Sequence, residues 1–142
     1  AEDAPPPVTA ILRAGVQRDT IALLLALADK RVQSRRVESV MQNGASLDAL
    51  EVDLTTAGKL LMFFDPATGL LTRQRYGGGT IEDPVTDESF TDYRRVEGLQ
   101  VAHQMLVKRQ GQFPIRRTVR TFEMNVPIDA SFFAKPAKSG VQ

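Results

Sequence analysis

His103 is the single histidine of this 142-residue chain, so any imidazole chemistry must pass through it. A zinc motif of the His-Glu-x-x-His type needs two histidines and is ruled out. A serine–histidine–acid triad would have to recruit His103, yet no Gly-x-Ser-x-Gly elbow exists to present the serine. The alternation Val101, His103, Met105 puts the imidazole on one face of a strand with no acid close by in sequence. It reads as a packed or partly exposed sheet residue rather than a ligand or general base. Cysteine is absent, which removes disulfides, iron–sulfur clusters, thiolate zinc sites and a cysteine nucleophile together.

The acids pair as Glu51 with Asp53, Glu82 with Asp83, and Asp87 with Glu88. Neighbouring acids on a strand normally form solvated surface, and no EF-hand spacing accompanies them. Gly77-Gly78-Gly79 lacks the Lys-Ser/Thr and the helix that a phosphate loop requires, so it reads as a flexible loop. Lys108, Arg109, Arg116, Arg117 and Arg120 can meet across antiparallel strands as a basic patch. A sheet that binds nucleic acid interleaves such cations with exposed aromatics, and here Phe122 stands alone among them. No nucleic-acid partner, metal or cofactor is expected.

These residues must be positioned by one domain's worth of structure. Hydrophobic residues at 42%, charged residues at 25% and a net charge of +1 are ordinary values for a globular chain. The apolar run 21–28 is far short of the roughly 20 residues that span a bilayer, so no transmembrane segment is expected. A start at Ala1 rather than Met is what a removed signal peptide, or a piece of a longer protein, would leave. Pro5-Pro6-Pro7 makes residues 1–7 a proline-rich linker, with the domain over 8–136 and a disordered tail over 137–142.

Residues 8–16 are ambiguous between strand and helix. Asp19 then caps a helix from Thr20 to about Lys30. Because Ile21 to Ala28 is apolar all the way round, that helix must be covered on most sides. The remaining chain supplies the cover. Turn signals at Asn43-Gly44, Asp65-Pro66-Ala67-Thr68-Gly69, Ala57-Gly58, Glu97-Gly98 and Gln110-Gly111 divide it into segments of strand length. These are 34–42, 47–55, 59–64, 70–76, 87–96, 99–109 and 113–125. Short connections imply an antiparallel meander of about seven strands. Lys59 to Phe64 is apolar on both faces and belongs inside the sheet rather than at its edge. In the last hairpin, a loop of Gln110, Gly111 and Gln112 sets Val107 opposite Ile115 and His103 opposite Val119. Pro114 cannot donate to a ladder, so the final strand is an edge or is bulged. The expected fold is α+β and mainly β, a half-barrel over one apolar helix.

Three motifs add a resemblance. Residues 64–74, with Asp65 to Leu70 as a strand–turn–strand, look like the corresponding step of lipoprotein-carrier sheets. Tyr93-Arg94-Arg95-Val96-Glu97-Gly98 and Asn125-Val126-Pro127-Ile128-Asp129 resemble two later steps in the same order. Together they make residues 47–136 similar to the LolA/LolB-like superfamily, and in particular to the extra domain that follows pitrilysin/insulinase-type zinc peptidase homologues. The resemblance implies a half-barrel that can hold acyl chains in a periplasmic or secreted protein. The peptidase zinc motif itself is missing, so proteolysis does not carry over. The expected function is a non-catalytic accessory or binding module, with a lipid or lipoprotein carrier and an enzyme with an unrecognised site as alternatives. Its apolar concave face would be lined by Leu50, Val52, Leu61, Phe63, Val101, Met105 and Val107. The partner would be a hydrophobic ligand or a neighbouring domain of a longer protein.

Overall fold

The computed structural model describes residues 5–81 and 83–134. Two helices, α1 (Pro6–Gln17) and α2 (Thr20–Ala28), precede seven strands: β1 (Gln33–Gln42), β2 (Ala45–Asp53), β3 (Lys59–Phe64), β4 (Leu71–Tyr76), β5 (Thr86–Val96), β6 (Leu99–Arg109) and β7 (Ile115–Thr118). A 3-10 turn, Ala130–Phe133, follows among the described residues. The strands form one antiparallel sheet in sequential order, curved and unclosed, with β1 and β7 at its edges. This is the half-barrel meander that the turn spacing predicts.

Helix α1 corrects the sequence reading. The proline run was expected to stay extended, yet α1 begins at Pro6, with proline in its first turn. Amides of the first helical turn have no intrahelical acceptor, so a residue lacking N–H costs nothing there, and its fixed φ suits a helix. The ambiguity of 8–16 is resolved the same way, since Val8, Ile11, Leu12, Gly15 and Val16 recur at helical spacing. Residues 1–4 of the expected linker, and the expected tail, lie outside the described residues.

Helix α2 is capped as predicted, the Asp19 carboxylate accepting from the Ala22 amide at 2.9 Å. It is covered on one side only. Leu23 is buried, and Leu24 and Leu27 pack against the same core, whereas Leu25 is 51% exposed and Ala22 and Ala28 face outward. A half-barrel offers a single concave face, so a helix lying in it keeps its far side free. Full enclosure of Ile21 to Leu27 is therefore not what the sheet provides.

Strand pairing follows the turns. At Asn43-Gly44 both residues take positive φ, 51° and 80°, the geometry that a two-residue hairpin turn demands. The Asp65 carboxylate holds the β3–β4 turn by accepting from the Ala67 amide and the Thr68 hydroxyl at 2.9 and 2.8 Å. Val107 does pair with Ile115, and the Val119 amide donates to the His103 carbonyl at 2.8 Å. The last strand is much shorter than the expected 113–125. Pro114 cannot join the ladder, and Arg116, Arg117 and Arg120 give no apolar alternation to hold the rest of the segment against the body.

The sheet has an apolar cluster on each face. Beneath α2 lie Val52, Leu60, Met62, Leu71 and Phe90; on the outer face Leu47, Ala49 and Phe63 are buried, with Val37, Val40 and Leu61 against them. The outer face is otherwise charged. Glu51 accepts from Arg35 at 2.9 Å and from Lys59 at 3.0 Å. Those hydrogen bonds, Arg35 first and Lys59 second, hold its carboxyl at about 2. An NMR titration should therefore place the Glu51 midpoint near 2, and Arg35→Gln with Lys59→Gln should return it toward about 4.3. Because the folded value is depressed, what this pairing adds to stability is complete above the unfolded pKa and vanishes as pH falls toward 2. A midpoint unmoved by the double substitution would contradict the assignment.

Candidate functional site

His103 is packed into the sheet. It is 4% exposed, and its Nδ1 lies 3.0 Å from the Val101 carbonyl. The nearby Asp92 is held below the usual carboxylate range by its hydrogen bonds from Arg94 first, with His103 a smaller contributor. The triglycine segment is likewise tied down. The Gly78 amide donates to the Asp83 carboxylate at 2.7 Å and the Gly79 amide to the Asp83 carbonyl at 2.9 Å. The Gly78 amide thus meets an anion, but it is the chain's own Asp83 carboxylate. Among the described residues no group of three or more acids and histidines is placed to hold a metal ion.

The concave face can be read as rows across the sheet, because antiparallel partners share a face. One row runs Leu50, Met62, Gln74, Glu88, Val107 and Ile115. The next runs Val52, Leu60, Tyr76, Thr86 and Arg109, and a third carries Phe90, Met105 and Arg117. Leu50, Val52 and Met105 therefore do meet under α2. Val107 is buried on the same face beside Glu88 and Ile115, and Val101 is buried outside both apolar clusters.

Leu61 and Phe63 are corrected. They sit on the convex face with Ala49 and Leu47, because the residues opposite Leu50 and Val52 are Met62 and Leu60. Both parities of β3 are apolar, so its pattern could not say which half faces the helix.

The inner wall that sequence reasoning anticipated is thus largely occupied by Leu23, Leu24 and Leu27. The open apolar surface lies on the helices instead. Ile11, Leu12 and Val16 of α1 are 72%, 61% and 72% exposed. With Gly15, Asp19 and Ala22 they border a groove of about 710 Å³. A second opening of about 630 Å³ shares Val16 and Ala22 and leads to Leu23, Val32 and Leu54 at the mouth of the half-barrel.

A third cleft, about 360 Å³, shares Ile11, Gly15 and Asp19 with the first groove but is polar. The Arg18 guanidinium stacks over the Tyr76 ring at 4.5 Å and donates to the Ala57 carbonyl at 2.6 Å. The Tyr76 hydroxyl donates to one Glu88 oxygen at 2.9 Å, and the Gln74 amide to the other at 2.6 Å. Burial first, and then the Glu88 carboxylate, push the Tyr76 phenol up to about 12. Arg18 Nε and Gln74 Oε1 are buried without a partner in the protein. Buried polar atoms of that kind call for an explanation.

Sequence reasoning passed over this polar cleft. Its one visible signal was the placement of Gln74, Tyr76 and Glu88 where alternation asks for a purely apolar row.

No family model matches the chain, and no curated protein matches it in sequence. Among solved structures, it is similar to a crystallised domain from Vibrio parahaemolyticus assigned to outer-membrane lipoprotein sorting, with a TM-score of 0.49 and 15% identity. That likeness covers 68% of this chain and 46% of the other, so the chain spans less than half the length of the structure it resembles.

Proposed function

We propose that this domain is a non-catalytic binding module of a periplasmic or secreted protein, and that its working surface is the open apolar face of α1 and α2. One observation carries this reading: the stripe Ile11, Leu12 and Val16 of an amphipathic helix is turned to solvent beside an open groove. Removing such surface from water is favourable in proportion to the area covered. Contiguous exposed apolar surface of this kind marks a contact site. The groove takes the hydrocarbon part of a ligand, while Leu23, Leu24 and Leu27 remain docked on the sheet.

Calorimetry with a neutral detergent, dodecyl maltoside below its micelle concentration, tests this. Wild type should bind it, and Ile11→Ser, Leu12→Ser and Val16→Ser combined should weaken binding by about tenfold or more, given roughly 1.4 kcal/mol per decade. Phe113→Ser, an exposed apolar position outside the groove, should leave affinity unchanged. Equal affinity in the triple variant would overturn the reading.

A second reading, docking onto a neighbouring domain of a longer, peptidase-like protein, is favoured by Val126, Ile128, Phe132 and Phe133. All four are exposed, at 47%, 63%, 80% and 78%. The natural reading frame around this chain checks it: flanking peptidase-like domains support it, and their absence removes it.

A further inference from the structure

The polar cleft beside the apolar groove collects arginines that make no ion pair among the described residues. Arg18, Arg109 and Arg117 all line it. Arg109 and Arg117 stand on the concave face because their strand partners are Thr86 and Met105, whereas Arg116 and Lys108 pair with Leu106 and Asp87 on the convex side. The basic cluster of β6 and β7 is thereby split between two faces. Its inward half makes no ion pair among the described residues; Arg109 reaches the Thr86 hydroxyl at 3.4 Å. Arg18 forms no ion pair there either and keeps a buried Nε–H without an acceptor.

Two carboxylates share the cleft, and both are engaged. Glu88 uses one oxygen on the Tyr76 hydroxyl and the other on the Gln74 amide. Asp19 caps α2 through the Ala22 amide. Three guanidinium groups facing two occupied carboxylates leave the cleft cationic, with several N–H donors unspent. Guanidinium forks match the oxygens of a phosphate better than any other common side chain does. The apolar groove starts at the same residues, Ile11 and Gly15, so a head held by the arginines would leave its chain on α1.

We propose that Arg18, Arg109 and Arg117 form a phosphate-binding site that takes the head of a singly chained or multiply chained amphiphile whose hydrocarbon lies on α1. This inference rests on the binding surface proposed above, and deepens it by naming the ligand class. The phosphate could equally arrive as a free ion, which the experiment separates.

Calorimetric titrations with dodecyl phosphate, dodecyl maltoside and inorganic phosphate, on wild type, on Arg109→Gln/Arg117→Gln and on Lys108→Gln/Arg116→Gln, decide it. The expected result is that wild type binds dodecyl phosphate at least about tenfold tighter than the neutral detergent, the scale of one charge-assisted hydrogen bond. The inward pair of substitutions should abolish that preference, and the outward pair should preserve it. Equal binding of the two detergents by wild type, or equal losses from the two pairs, would overturn the phosphate site while leaving the apolar groove standing. Saturable binding of inorganic phosphate alone, lost with the inward pair, would keep the anion site with a free ion as its source and refute the groove. No binding of any of the three would refute both.

Discussion

Leu23→Ala should destabilise the domain by about 3–4 kcal/mol, while Leu25→Ala, two positions on, should change stability by less than about 0.5 kcal/mol. Leu23 is 2% exposed and joins Val52, Leu60, Met62 and Phe90 in the principal core; Leu25 is 51% exposed. Truncating the first removes its transfer energy and leaves a cavity between a helix and a sheet, neither of which can collapse into it. Truncating the second removes atoms that water already touches. Against a total stability of roughly 5–15 kcal/mol, the first change is a large fraction. Urea unfolding followed by far-UV dichroism measures both. Similar costs at the two positions would mean that α2 is enclosed on all sides and that the groove beside it does not exist.

That contrast also marks where the sequence could and could not be read. Strand order, β3 and β6 to the residue, the Asp19 cap and the Val107–Ile115 register were legible, because turn chemistry and side-chain alternation are local. An all-round apolar stretch such as Ile21 to Ala28 states how much surface needs cover but not how much the fold supplies. Helix α1 was obscured by Pro6 and Gly15, whose usual meanings are suspended in a first turn and on an open face. Leu61 and Phe63 were assigned to the wrong side because β3 is apolar in both parities, and only its pairing with β2 breaks the tie. The arginine cleft was hidden more deeply. Arg18 follows α1 while Tyr76, Glu88 and Arg117 stand on three different strands, and no spacing along a chain announces a meeting of that sort.

Glu88→Ala is expected to cost about 2–4 kcal/mol, more than its half-buried position suggests, because of what it strands. Gln74 is 1% exposed, and its amide donates at 2.6 Å to Glu88 and only distantly, at 3.5 Å, to the Arg18 carbonyl. Its Oε1 already lacks a partner. Losing the carboxylate would leave almost the whole buried amide unsatisfied, together with the Tyr76 hydroxyl. The penalty therefore belongs to Gln74 as much as to Glu88, and a double-mutant cycle exposes it. Gln74→Leu alone should be close to neutral, since it replaces an incompletely bonded amide by an apolar group of similar size beside Met62. In that background Glu88→Ala should cost about 1 kcal/mol or less, the loss of the Tyr76 hydrogen bond alone. If Glu88→Ala costs the same with Leu at position 74 as with Gln, the carboxylate is not there to satisfy the buried amide. Its place among the three arginines would then be electrostatic.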